Sequence, residues 1–296
     1  MGHLGSRHAQ IYSELKDKVN LVGVCDINAE RAQEAAQQLG CQTFTDPAQL
    51  LGKISAASIC VPTVIHHKIS RDCLKNNISL LVEKPFTKTL KEADELIKLA
   101  GRNKLTLQIG HVERFNSAFQ SIKTLGKNPR FVECHRLNLF PNRSLDIGVV
   151  LDLMIHDIDI ILGLEDSPIK DIQAVGVKVL TDLEDIANCR ITFKSGCVCN
   201  LTASRISDEV MRKIRLFTTD SYISLDYCKQ EAFVYKKHQG LISKHALPIE
   251  KEEPLRKELE SFVDCIANRQ KPVVSGVEGR AALDLALKIQ AKIWQK

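Results

Sequence analysis

From Val19 to Ile109 the chain alternates short apolar runs with amphipathic stretches, and this repetition restricts its fold more than any other feature. The apolar runs are Val19–Asp26, Ala56–Pro62, Ile78–Pro85 and Leu105–Ile109, each of strand length. Helix signals fill the gaps. Asn28 is placed to cap a helix closing near Gly40, and Pro62-Thr63 opens one with Ile65, Ile69, Cys73 and Leu74 on one face. Thr89-Leu90-Lys91-Glu92 forms a capping box for a third, ending at Gly101. Such repeats bury their strands in a parallel sheet with helices on both faces. After Phe119 the segments lengthen: Phe131–Leu139, Ile169–Leu180, Ala187–Phe193, Cys197–Ser204, Lys213–Phe217 and Tyr222–Tyr227, with Lys194-Ser195-Gly196 as a hairpin turn. A helix over Val150–Leu162 interrupts them, and helices over Pro254–Ala267 and Val277–Trp294 close the chain. The expected architecture is α/β: a doubly wound parallel sheet in residues 1–118, then an α/β domain over 119–296 with a large, mainly antiparallel open sheet.

Two domains accord with 296 residues of which 44% are hydrophobic and 26% charged. The net charge of +5 comes without a long basic run, so neither nucleic acid nor a membrane surface is an expected partner. The ten cysteines show no C-x-x-C spacing, and several sit in apolar runs such as Ser58-Ile59-Cys60-Val61. They read as buried thiols in a reducing compartment. Cys197 and Cys199 alternate with Leu201 and Ala203 on one strand face, which favours packing over metal ligation, and no metal site is expected. No apolar run reaches membrane-spanning length and the N-terminus lacks a signal-peptide layout, so a soluble cytoplasmic protein is expected.

Met1-Gly2-His3-Leu4-Gly5 runs directly into a helical pattern with His8, Ile11, Tyr12 and Leu15 on one face. A Rossmann-type unit places Gly-x-Gly-x-x-Gly before its first helix, because only glycine lets the backbone approach a pyrophosphate at the positive helix end. Here Gly2-x-x-Gly5 stands alone, and the chain starts inside the motif, without the first glycine and the first strand. That strand lies at the sheet centre, and its neighbours would expose unpaired backbone groups. Asp26 lies 21 residues beyond Gly5, at the end of the next strand. A carboxylate there accepts hydrogen bonds from a ribose 2′-OH and repels a 2′-phosphate. The expected cofactor is NAD over NADP, held by Gly2, His3, Leu4, Gly5 and Asp26; the competing structural reading makes Asp26 a turn residue.

Ile78–Pro85 delivers Glu83 and Lys84 to the carboxyl edge of a parallel strand, where open α/β sheets bind ligands. In the interrupting helix Asp152, His156 and Asp159 recur at i, i+4 and i+7, which places two carboxylates and an imidazole on one stripe of an otherwise apolar helix. Burying such a stripe is costly unless its groups are paired or used. The structural alternative is a satisfied polar face on a half-exposed helix.

With these features, Pro62-Thr63-Val64-Ile65-His66, Glu83-Lys84-Pro85, Gly110-His111-Val112-Glu113-Arg114-Phe115-Asn116 and Asp152-Leu153-Met154-Ile155-His156-Asp157 make the chain resemble the Gfo/Idh/MocA family, the glucose-fructose oxidoreductases and inositol dehydrogenases, over nearly its whole length. The resemblance implies NAD(P)-dependent oxidation of a sugar or polyol hydroxyl, with Lys84, Asp152 and His156 as the catalytic set. It adds Pro62, Thr63, His66, Glu83 and Lys84 to the cofactor side, and it implies a cis Lys84–Pro85 bond and a homo-oligomer, dimer or tetramer, formed through the open sheet. Removing a hydride from a secondary alcohol requires a base for the hydroxyl proton, a task that suits an imidazole. Lys84 can stabilise the developing oxyanion, while Asp152 positions substrate or imidazole; the proton acceptor is either Lys84 or His156. His111, Arg114 and Asn116 are the candidate substrate ligands, with a salt bridge as the alternative role of Arg114 and a helix-surface position as that of His66.

The stretches His111–Asn116 and Val149–Asp159 resemble the branch that oxidises the 3-position of UDP-N-acetylglucosamine and supplies lipid A or surface polysaccharides. Arg114, Arg143 or Arg205 would meet a pyrophosphate. A free sugar or polyol of the inositol type is the alternative substrate. The family also contains a non-catalytic dinucleotide-sensing regulator, a reading opposed by the joint presence of Lys84, Asp152 and His156.

Overall fold

Helix α1 (His3–Glu14) leads into strand β1 (Gly23–Cys25), and Asn28 then accepts the Arg31 N–H at 3.0 Å to open α2 (Ala29–Leu39). Gly40 ends α2 in the left-handed region, φ +65°, where a side chain would be strained. The computed structural model describes residues 1–140, 146–238 and 241–295. They form two compact units, 1–112 with 255–280, and 113–254 with 281–296.

In the first unit β1 pairs in parallel with β2 (Gln42–Phe44) and, among the described residues, with no other strand; it is shorter than its apolar run. Strand β3 (Ala56–Ile59), helix α3 (Thr63–Lys75), strand β4 (Ser79–Glu83), helix α4 (Leu90–Asn103) and strand β5 (Leu107–Gly110) follow. The three strands form a second parallel sheet, β3-β4-β5. Among the described residues no strand joins the two sheets, so the expected doubly wound sheet is split at its centre. The Thr89 box forms with both reciprocal hydrogen bonds, and α4 runs past Gly101 to a left-handed Lys104. β4 is buried along its length, and Leu80, Leu81 and Val82 each contribute about 2 kcal/mol of apolar burial.

The second unit holds α5 (Ser117–Ile122), β6 (Phe131–Leu137), a wide π-type turn at Val150–Met154 continuing into α6 (Ile155–Leu164), and the strands β7 (Ile169–Val177), β8 (Ile186–Phe193), β9 (Val198–Ser204), β10 (Met211–Phe217), β11 (Ser221–Asp226), β12 (Glu231–His238) and β13 (Leu241–Ala246). Their order is β13-β12-β11-β10-β6-β9-β8-β7, antiparallel except for β6 with β9. Gly196, at φ +90°, makes the β8–β9 turn. β12 and β13 extend the meander beyond Tyr227; Lys236, Lys237 and Lys244 hide their alternation from the sequence pattern.

Helices α7 (Pro254–Asn268) and α8 (Gly276–Trp294) close the chain. The boundary expected at 118/119 falls at 112/113 in the compact units, and α7 joins the first one. The reason is packing: Leu255, Leu259 and Phe262 share a core cluster with Ile11 and Leu81. In the second unit Phe119, Ile158, Ile161 and Ile289 cover the sheet face formed by Cys134, Cys189, Leu201 and Ile214.

All ten cysteines are free thiols, and Cys197 and Cys199 lie buried with their sulfurs 3.9 Å apart. Cys228 is exposed, against the expectation of burial. Among the described residues no helix is long and apolar enough to cross a membrane.

Candidate active site

At the first unit's N-terminal end Gly2 is the N-cap of α1, with no side-chain cap and no acid in the first turn. The N–H groups of His3, Leu4 and Gly5 have no intrahelical carbonyl within reach, and a helix end of this kind suits an anion. A Cβ at Gly2 would meet nothing within 4 Å, whereas one at Gly5 would lie 3.6 Å from the Cys60 Cβ. Gly2 thus keeps the approach open, while a side chain at Gly5 would stand in ordinary contact with Cys60, just after β3. Asp26, at the end of β1, accepts the Asn28 N–H at 2.8 Å through Oδ1, and its Oδ2 pairs with the Met1 ammonium. The turn role weighed for Asp26 is therefore present. These residues fit an NAD phosphate and ribose at the places the motif expects.

Glu83 is buried at the end of β4 and packs so closely on β5 that a Cβ at Gly110 would lie 2.7 Å from its carboxylate. His8 Nε2 lies 3.2 Å from its Oε1, and the Lys84 N–H donates to its Oε2 at 3.2 Å. The assignment of Glu83 to the cofactor is corrected accordingly: its carboxylate ties α1 to the Lys84 turn. Lys84 itself is half-buried, and the Lys84–Pro85 bond is cis. Pro62 caps the start of α3, with Thr63 half-buried beside it.

His66 also departs from its expected roles, being neither a surface residue nor available to a cofactor. It is buried, with Nε2 2.8 Å from the Val61 carbonyl and Nδ1 3.0 and 3.2 Å from those of Pro85 and Phe86. Burial lowers its pKa by more than those carbonyls raise it. The ring braces α3 against the turn that carries Lys84. His111 follows β5 as a buried residue whose N–H donates to the Ile109 carbonyl at 2.8 Å.

In the second unit the wide turn begins where the Asp152 N–H donates to the Gly148 carbonyl at 3.0 Å. Asp152 and His156 are half-buried, while Asp157 and Asp159 are sealed. The expected three-residue stripe is therefore reduced to Asp152 and His156. Asp159 turns inward to Arg114, whose Nε and Nη2 reach its carboxylate at 2.5 and 3.1 Å and whose Nη2 also donates to its carbonyl at 2.7 Å. Any side chain at Gly163 would collide with that guanidinium. Asp157 accepts a two-pronged hydrogen bond from Arg136, Nε to Oδ2 at 3.0 Å and Nη2 to Oδ1 at 2.9 Å. Arg136 Nη1 donates to Glu113 at 2.8 Å, and the guanidinium lies 5.5 Å from the Tyr227 ring centre. Burial, joined by the Glu113 carboxylate, holds the Asp157 pKa above the usual value against the pull of Arg136.

A third buried arginine, Arg205, donates to Asp185 Oδ1 at 2.9 Å, to Thr181 Oγ1 at 2.9 Å and to the Ile147 carbonyl at 2.8 Å, just before the wide turn. Arg114 and Arg205 are thus committed to buried pairs, which corrects their expected role toward an anionic substrate. Arg143 lies outside the described residues. Asn116 is likewise a structural residue: it accepts the Ala118 N–H to cap α5 and donates to Glu113 and to the Tyr227 carbonyl. Arg136 was missed as a functional residue, although it was legible as a charge at the inward register of β6, two places from Cys134.

A Rossmann-type unit with an uncapped glycine helix start and a Glu-Lys-Pro edge, followed by an open-sheet unit with a half-buried Asp-His pair, defines an NAD-binding oxidoreductase, and the chain belongs to the Gfo/Idh/MocA family. Residues 1–111 match the oxidoreductase family with the NAD-binding Rossmann fold, and residues 108–224 match the GFO/IDH/MocA C-terminal domain. Among individual proteins, it is 38% identical to the UDP-N-acetylglucosamine 3-dehydrogenase of Acidithiobacillus ferrooxidans, over 99% of this chain and 95% of that protein. The solved structure of that enzyme superposes with a TM-score of 0.93. The myo-inositol 2-dehydrogenase of Thermotoga maritima is 25% identical over 100% of this chain and 95% of that protein. The WlbA dehydrogenase of Bordetella pertussis, solved with NADH and UDP-GlcNAcA, shares the fold at 16% identity, covering 99% of this chain and 94% of its own with a TM-score of 0.83.

Proposed function

We propose that the protein oxidises the 3-hydroxyl of a UDP-N-acetylglucosamine-like nucleotide sugar, with Lys84, Asp152 and His156 as its catalytic set. The observation that carries this reading is that Asp152 and His156 alone remain half-buried among the Asp and His residues of their helix, where Asp157 and Asp159 are neutralised by arginines. NAD would supply the hydride acceptor; Gly2, His3, Leu4 and Gly5 would hold its phosphates through the α1 N-terminus, and Asp26 its ribose. The substrate hydroxyl gives its proton to His156 or Lys84; the Lys84 ammonium, when it is not the acceptor, stabilises the alkoxide, and Asp152 orients the imidazole or the sugar. The 38% identity to an enzyme named for UDP-N-acetylglucosamine, against 25% to one named for myo-inositol, supports the nucleotide sugar.

The test is NADH formation with UDP-N-acetylglucosamine and with myo-inositol at equal concentration. The expected result is a kcat/KM at least about 100-fold higher for the nucleotide sugar, since a site built to hydrogen-bond one substrate discriminates by several kcal/mol. A reversed preference would replace this substrate by a polyol.

We also infer a place in lipid A or surface polysaccharide synthesis, and a cytoplasmic location, which the free thiols support. A homo-oligomer formed through the open sheet completes the proposal. On that face Phe131, Phe217, Tyr222 and Tyr235 run across four strands with ring centres 5.5, 4.8 and 4.8 Å apart. Tyr222→Lys is expected to move sedimentation from the dimer or tetramer to the monomer; a monomeric parent protein would discard the interface.

A further inference from the structure

We propose that the buried triad of Arg136, Asp157 and Glu113 is a positioning device that selects the helix register in which Asp152 and His156 act together; the proposal rests on the reading of those two as catalytic. The wide turn at Val150–Met154 meets the regular helix at Ile155. At this junction the i→i−4 ladder gives way to a wider bond, from the Ile155 N–H to the Val150 carbonyl, so one turn of the helix is wound more loosely than the rest. Tightening the turn by one residue would rotate Asp152 relative to His156 by about 100°. A hold from outside on each half opposes that change.

The structure supplies a hold on each side. Upstream, the Val149 N–H donates to the Glu184 carbonyl at 2.9 Å, and the Ile147 carbonyl accepts from Arg205. Downstream, Asp157 stands next to His156 in sequence, and the two-pronged bond from Arg136 fixes the plane of its carboxylate. Adjacent helix residues point in fixed relative directions, so fixing Asp157 fixes His156. Arg136 is itself immobilised by Glu113 and by the Tyr227 ring. Stability alone is a weak reason for such a triad, because well-packed apolar residues in place of buried charges are often as stable. An apolar replacement, however, has no directional hold on Asp157.

The experiment separates these roles. Arg136→Met, Asp157→Leu and Glu113→Leu are combined in one variant, removing all three charges together, and turnover of UDP-N-acetylglucosamine with NAD is followed well below the melting temperature. The expected result is a melting temperature at or above that of the parent and an NADH Kd within about twofold. KM should be little changed, while kcat falls about 100-fold, the scale of an approximately 1 Å misplacement. A folded triple variant with parental kcat would overturn the proposal. If the triple variant loses its near-ultraviolet circular dichroism, the near-isosteric Asp157→Asn serves instead, with an expected fall in kcat of about tenfold at unchanged KM. Parental kcat in that variant, or loss of fold in both, would reduce the triad to a folding element and overturn the assignment. His156→Ala is measured alongside: if it retains full turnover, the catalytic reading has failed, whereas an inactive His156→Ala beside a parental triple variant refutes the positioning role alone.

Discussion

His156→Ala is expected to lower kcat by about 10² to 10⁴-fold while NADH still titrates normally, because a positioned acid-base group supplies an effect of that size. Lys84→Ala should lose turnover on a similar scale, the oxyanion then lacking its cation. Cofactor binding survives both changes on this reading, since the phosphate site is the α1 N-terminus and the ribose partner is Asp26. Neither variant should unfold, as both side chains are half-buried and outside the large hydrophobic clusters. Absorbance at the NADH band gives the turnover and fluorescence titration gives the binding. Full activity in either variant would remove that residue from the catalytic set, and loss of NADH binding in Lys84→Ala would move the lysine's main role to the cofactor.

Arg205→Met is expected to cost about 3 to 5 kcal/mol of unfolding free energy, since it leaves the Asp185 carboxylate buried without its cation. Urea denaturation at neutral pH measures it, and a change below about 1 kcal/mol would show that the pair is dispensable. The same carboxylate sets an acid limit. Burial pushes the Asp185 pKa up, but N–H donation from Leu180, Val179 and Thr181, with the Thr181 hydroxyl, pulls it further down, well below the usual carboxylate range. A carboxyl depressed in the fold binds its proton more tightly when unfolded. Its stabilisation is therefore complete above the unfolded value of about 4 and erodes as the pH falls from there toward the folded value. Asp157, whose pKa is raised, works in the opposite direction. Asp185→Asn should flatten the loss of stability below about pH 4 relative to the parent, and an unchanged acid limb would show that another group governs it.

Much of the framework was readable from local signals because those signals act locally. Asn28, Gly40 and the Thr89–Glu92 box sit at the helix ends they predict, and the hairpin at Gly196 has the left-handed backbone its glycine allows. Lys84, Asp152 and His156 were readable through motif spacing and remain half-buried. The arginines were not. A guanidinium in a sequence looks the same whether it awaits a phosphate or is already spent on an aspartate, and the partners of Arg114 and Arg205 lie 45 and 20 residues away. His66 was obscured for a similar reason: its three carbonyl partners come from two separate segments, which no helical periodicity reveals. The wide turn was equally invisible, since Leu151, Leu153 and Met154 suit a regular helix as well.

The first unit is discontinuous in the chain, and this has a consequence for how the protein is made. The cluster that holds Ile11 and Leu81 draws its other fully buried apolar members, Leu255, Leu259 and Phe262, from the far end of the chain. A nascent chain emerging from the ribosome N-terminus first carries the whole open-sheet segment before those residues exist. The part that binds the dinucleotide therefore begins before the open-sheet strands and is completed only after them, and until α7 has left the ribosome the apolar surface it covers stays open to chaperones.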